Sequence, residues 1–368
     1  MTIAGERIVA TPPGAAKKRV AYLDNARFWV MILVVIGHPM LYLTSIPAAR
    51  SLYYWIYLFH MPLFALISGY ISRNFVGTRK QLRRTVSTLV VPYFIIETTY
   101  QVLNRRLAEH NGNPIDSPMM LLSPKWVAWF LAALFIWRLS TPLWRALRHP
   151  IIVSVLISVL APLTEIPNVL AMHKALGMLP FYVIGMHFTM KRFHRLSETR
   201  ARLGAGAVIV VSMVICWFGA PHWHLSWQKW RHSYAELHVM PLEGMLYRSL
   251  LLGAGVALSL AILSLVPWRR SWTSPLGERT LYCYLLHGFV VIALAKWLHV
   301  FDLMLPWGAW AILATLAGAV ALAVLLMTKP VAVVFRPLFE PELRWLFKRR
   351  ALPLRGQTVA ADMPVAEK

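Results

Sequence analysis

What most limits this chain is a repeated pattern of apolar runs, each about long enough to cross a bilayer and each closed by a short polar, basic or Pro/Gly-containing stretch. In lipid every backbone N–H and C=O must find its partner within the protein, so such runs can only be helices that span. Reading them off places helices over 27–44, 52–71, 86–104, 126–139, 151–170, 176–190, 203–220, 244–266, 281–299 and 308–328. The expected fold class is all-α, a polytopic membrane bundle of about ten transmembrane helices. Composition agrees: 58% of the 368 residues are hydrophobic and 14% charged, outside the range of soluble domains.

Loop charge orients the bundle. The stretch with Lys17, Lys18 and Arg19, the 73–84 loop (Arg73, Arg79, Lys80, Arg83, Arg84), the 138–149 loop (Arg138, Arg145, Arg148) and the 191–202 loop are basic, as are the 269–279 loop and the segment after Lys329. The intervening loops hold far less: Arg50, then Arg105, Arg106 and Lys125, then Lys174, then Lys229 and Arg231. By the positive-inside rule both termini face the cytoplasm. A cytoplasmic tail over 1–21, a membrane domain over 22–328 and a cytoplasmic tail over 329–368 follow. In that last tail Val331 to Arg350, with Trp345, Phe347 and Lys348 to Arg350, reads as an amphipathic segment on anionic lipid, and the remainder as disordered. The formal charge of +23 is spread over these loops, so membrane lipids are expected as partners and nucleic acid is not. Cys216 and Cys283 lie in apolar runs and suggest neither a disulfide framework nor a thiolate metal site. No small-residue cleavage site follows the first apolar run, so that helix is expected to be retained.

Ionisable groups inside a bilayer are costly and mark functional candidates. Here they are Arg27, His38, His60, Glu97, Arg248 and His287, with Asp24 at the edge. Arg27 and His38 are eleven residues apart, which returns to nearly the same helix face about 16 Å along the axis. They would look into one cavity from different depths, with Asp24 pairing to Arg27; the plainer alternative is a snorkelling arginine and a satisfied core histidine. His60 comes at similar depth on the returning helix, so the two imidazoles are expected to meet, and Pro62 loosens the backbone beside it. Ser68 and Gly69 suit close helix packing. Glu97 and Arg248 are expected to form a buried pair. The 219–243 segment, with His222, Trp223, His224, Trp227, Trp230, His232 and His238, allows two readings: a sugar-stacking lip or interfacial anchors. His222 and His224 lack a third ligand, and no metal site is expected.

The residues carry a resemblance. Leu23-Asp24-Asn25-Ala26-Arg27, then Val35-Ile36-Gly37-His38, Phe59-His60-Met61-Pro62-Leu63-Phe64 and Ser68-Gly69-Tyr70 resemble the acyltransferase-3 family, particularly its fucose 4-O-acetylase-like branch. Arg83-Arg84 ahead of Val91-Pro92-Tyr93, Trp129-Phe130-Leu131, and Tyr284-Leu285-Leu286-His287 extend the likeness over roughly 22–290. The basic loop departs from the family's Arg-x-x-Arg pattern, with Lys80 standing where the first arginine is usual, and Lys lacks the bidentate fork.

The resemblance implies transfer of an acyl group, usually acetyl from acetyl-CoA, to a hydroxyl of a carbohydrate or glycosylated acceptor, in a multi-pass protein of the bacterial inner membrane. His38, with His60 beside it, is then the expected general base or acyl acceptor. Arg27, too far along the axis to reach the same atom, is assigned to the donor with Lys80, Arg83, Arg84 and His287. A different class stays open: a carrier or flippase for a lipid-linked sugar or small solute, using the same His and Arg residues as a relay. Acceptor identity, acyl chain and oligomeric state are not legible.

Overall fold

The computed structural model describes residues 20–115, 117–343 and 346, and all regular structure among them is helical. Seven helices are long and apolar enough to cross a membrane: α1 Ala21–Leu43, α2 Pro47–Ser72, α3 Arg79–His110, α7 Thr199–Gly219, α8 Pro241–Leu265, α9 Thr280–Trp297 and α10 Ala309–Leu326. Three shorter or less apolar helices, α4 Ala128–Ala146, α5 Pro150–Leu163 and α6 Met172–Met186, fall where the remaining three expected spans lie. The fold is an all-α polytopic membrane bundle. The stretch 126–139 is short for a span and allows extension past Arg138 towards Trp144; α4 does run through Arg138 to Ala146, and the arginine Nε reaches the Ser72 hydroxyl at 3.4 Å.

Helix α2 is the central pillar. Of its most apolar window 83% is buried against protein, compared with 11% for α7, which faces lipid. Lipid tails are as apolar as leucine, so helix association there rests on close packing at small residues. Gly69 on α2 and Gly185 on α6 supply it. A Cβ at Gly69 would lie 2.0 Å from the Tyr182 carbonyl oxygen, and one at Gly185 would lie 1.9 Å from that of Leu66. The Ser68-Gly69 pair is thus part of a backbone crossing. Pro62 leaves the Leu58 carbonyl without its helical donor, and Gly255 of α8 packs against that oxygen.

The foot of α1 is held by one side chain. Asn25 Nδ2 donates to the carbonyls of Pro267 and Arg269 at 2.9 and 3.0 Å, and its Oδ1 accepts from the hydroxyls of Ser271, Thr273 and Ser274. A loop at membrane depth is tolerated only when its polar groups are satisfied in this way. Beside it Gly277 sits so close that a Cβ would lie 1.8 Å from the Asp24 carbonyl oxygen.

After α10 comes the short helix Lys329–Phe339, with Ala332 and Phe339 buried and Val333 and Val334 exposed. The rest of the expected amphipathic segment, including Trp345, Phe347 and Lys348 to Arg350, lies outside the described residues, as do the expected disordered end and the basic residues at 17–19.

Candidate active site

The expected buried pair of Glu97 and Arg248 is not formed. Glu97 accepts from Gln101 Nε2 and from the Lys125 backbone N–H, both at 2.8 Å, so it ties down the loop ahead of α4. Arg248 is buried with its guanidinium carbon 4.6 Å from the centre of the Trp230 ring. Neutral donors meet Glu97 and a π face meets Arg248, whose Nε and Nη1 are buried without a hydrogen-bond partner among the described residues, and each group anchors a different loop on the sparsely charged face of the bundle.

Between those loops opens a cavity of about 350 Å³, and His38 and His60 both line it. The His38 ring lies 5.1 Å from His287, 5.9 Å from Trp126 and 6.4 Å from Tyr57, centre to centre. The Tyr57 ring packs on His60 at 4.5 Å. His60 Nδ1 is 2.8 Å from the Ile56 carbonyl oxygen and His287 Nδ1 is 2.8 Å from that of Cys283. A carbonyl oxygen only accepts, so in both rings Nδ1 carries a proton, and in the neutral ring Nε2 is the nitrogen left to accept. Nε2 of His287 is buried with no hydrogen-bond partner among the described residues. His38 itself makes no side-chain hydrogen bond to protein among them. His38 thus packs against His287, while His60, expected to meet it, lines the same cavity from α2 with its ring against Tyr57.

The walls are aromatic. Trp129 and Tyr284, from two of the motifs noted in the sequence, both line the cavity, and the Tyr284 hydroxyl donates to the Val127 carbonyl. Trp126 and Ala171 hold φ of 48° and 52°, the left-handed region. That region costs a side-chain-bearing residue about 1–2 kcal/mol, and strain of this kind gathers where surrounding structure fixes a functional loop. Below the rim Ser233 and Glu236 cap each other. The Ser233 N–H donates to the carboxylate at 2.7 Å, and with His232 at 3.7 Å it holds Glu236 below the usual carboxylate range.

The other predicted residues lie elsewhere. Arg27 pairs with Asp24 at 3.3 Å, as its spacing suggested, at the foot of α1. Lys80, Arg83 and Arg84 line a separate cavity of about 280 Å³ with Ser87, Thr88, Glu340 and Glu342 on the basic face. Arg27 lines neither of these two cavities. His287, grouped in the sequence with the basic donor residues, is instead packed against His38. In the 219–243 segment Trp223 packs on Tyr54, Trp227 on Tyr247 and Trp230 on Phe181; of the three rings Trp230 is buried, while Trp223 stays exposed. The stacking surfaces of the cavity include Trp126, which the sequence marks only as the start of a span, and Trp129 of the Trp129-Phe130-Leu131 motif. Among the described residues no group of three or more His, Cys, Asp or Glu is disposed to hold a metal ion.

Comparison with known proteins bears on the chemistry. A family model described as an acyltransferase domain matches residues 20–327. Nodulation protein NolL of Sinorhizobium fredii (strain NBRC 101917 / NGR234) is 26% identical over 302 residues, covering 75% of this chain and 79% of the relative. No solved structure matches the chain. The family match runs from the first membrane helix to the last, and the chain therefore belongs to the acyltransferase-3 family and is a multi-pass membrane acyltransferase.

Proposed function

We propose that the protein is a bacterial inner-membrane O-acyltransferase that moves an acyl group, in the first instance acetyl, from cytoplasmic acyl-CoA to a hydroxyl of a carbohydrate or glycosylated acceptor. The observation that carries this reading is His38, an imidazole with no hydrogen bond to protein among the described residues, set in a cavity of about 350 Å³ that His60 also lines, with His287 packed against it.

Neutral His38 takes the proton of the acceptor hydroxyl as its oxygen attacks the thioester carbonyl. The new C–O bond forms, the C–S bond breaks, and the imidazolium returns its proton to the departing thiolate. His287 is a positioning residue in this scheme: its unpaired Nε2 faces a neighbourhood in which only His38 gains a proton, so it favours the imidazolium. His60 offers a second neutral Nε2 towards the same space. By charge the basic face is cytoplasmic, and Arg27, Lys80, Arg83 and Arg84 are the cations available there for CoA phosphates. Arg27 and His38 share a stripe of α1 about 16 Å long, which suits a donor whose phosphates stay at the surface while its thin arm carries the thioester inward.

Membrane vesicles given radiolabelled acetyl-CoA test the reading. Label should appear on a glycan or glycolipid with the wild-type protein and be lost with His38→Ala at equal protein level. Acceptor movement across the membrane without label would replace this reading with a carrier.

A further inference from the structure

Positive charge is scarce on the face where the His38 cavity opens, and it converges. Lys125 and the pair Lys229 and Arg231 come from two separate connections between helices and Lys174 from the first turn of α6, yet all four line this cavity, and no Asp or Glu side chain does. Other cations of that face are engaged: Arg50 donates to the carbonyls of Ala220 and Trp223, Arg105 to those of Ile115 and Ser117, and Arg106 pairs with Glu109. Lys174 Nζ lies 4.7 Å from the centre of the Trp129 ring and within electrostatic reach of Lys229 and Arg231. The carboxylates on neighbouring segments are turned to other partners, Glu97 to Gln101 and the Lys125 backbone, Glu236 to Ser233 and His232. Gathering like charges around a partly desolvated space costs free energy that an anion among them would offset. It also runs against the charge asymmetry that governs the rest of the chain.

We infer that the cavity takes an acceptor bearing a negative charge, a sugar whose carboxylate or phosphate sits among Lys125, Lys174, Lys229 and Arg231 while its hydroxyl faces His38. Trp126 and Trp129 supply the faces on which its ring stacks. The inference rests on the proposed acyl transfer for the word acceptor; anion recognition itself does not depend on it.

Purified full-length protein in nanodiscs of uncharged lipid is titrated by microscale thermophoresis with an oligomannuronate and with the same oligomer after carboxyl reduction. A short-chain prenyl diphosphate sugar and the free sugar form the second pair, which separates a carboxylate source from a diphosphate source. At least one charged member should bind about tenfold more tightly than its neutral counterpart, with a preference that shrinks as salt rises. The Lys174→Gln, Lys229→Gln, Arg231→Gln triple variant should lose about tenfold in that preference, while Arg106→Gln should keep it. The salt titration uses unaltered protein, so misfolding of the triple variant does not blunt the test. Equal binding of charged and neutral members, insensitive to salt, overturns the inference. Charge-selective binding with no label passing from acetyl-CoA to any sugar upholds it and removes the acyltransfer to a sugar instead.

Discussion

Asn25 at the foot of α1 makes five hydrogen bonds to one loop, whereas His38, further along the same helix, makes none with protein among the described residues. The first region is saturated: Asn25 clamps loop 267–274, Gly277 touches the Asp24 backbone and Arg27 is paired to Asp24. The second is left open, a cavity ringed by imidazoles, indoles and cations whose polar atoms are only partly satisfied. A buried polar group that is fully bonded specifies structure, and one that is not is available to a ligand. One helix therefore does two jobs, with its end on the basic face fixing geometry and its opposite end presenting a base.

The contrast can be broken most sharply at His38. His38→Ala should lower turnover about a thousandfold, within the range of general acid–base catalysis, and leave the melting temperature in detergent unchanged; retained turnover would remove the imidazole from the mechanism. Asn25→Ala should do the reverse. It strands the carbonyls of Pro267 and Arg269 and three hydroxyls, so stability should fall by about 2–3 kcal/mol, read as a lower melting temperature, while turnover per folded molecule holds. Arg27 tests whether the saturated end also binds donor. Arg27→Ala should abolish acylation with the protein still inserted, and Arg27→Lys should recover the melting temperature yet not the affinity for acyl-CoA, because the bidentate fork is gone. If Lys restores both, pairing with Asp24 is the whole role. His287→Gln should cut turnover by about tenfold to a hundredfold with the KM for acyl-CoA unaltered; a change confined to that KM would return His287 to the donor, where the sequence alone had put it. The smallest effect is expected from Lys80→Gln with Arg83→Gln and Arg84→Gln, a rise of about threefold to tenfold in the KM for acyl-CoA, since exposed ion pairs each contribute under about 1 kcal/mol.

Much of the framework was legible in the chain. A span is a local property of length and apolarity, so the expected helices were found, with ends that differ by a few residues. The fourth span, short over 126–139, extends past Arg138 as its length requires, and the Ser72 hydroxyl lies within reach of that arginine. The pairing of Glu97 with Arg248 failed because charge inside a bundle can be met by amides and indoles as well as by an opposite charge. The four cations of the His38 cavity were visible as exceptions to the loop-charge pattern, which is the one signal that pointed to them; their convergence was not.

Taken alone, the amino-acid order determined the membrane class, the rough limits of the helices, the alternation of basic and sparsely charged loops, and the histidines and arginine worth watching. These follow from transfer free energies summed over short windows, which need no knowledge of neighbours. The tertiary structure decided which of those residues share a space. His287 reaches His38 across 249 positions, and Lys125, Lys174 and Arg231 reach one cavity from two loops and the first turn of α6. Contacts of that kind depend on where Gly69, Gly185 and Gly277 let backbones touch, on which carbonyls Asn25 donates to and on which backbone N–H Glu97 accepts from. Those are pairwise fits between distant helices, and no window of sequence contains them.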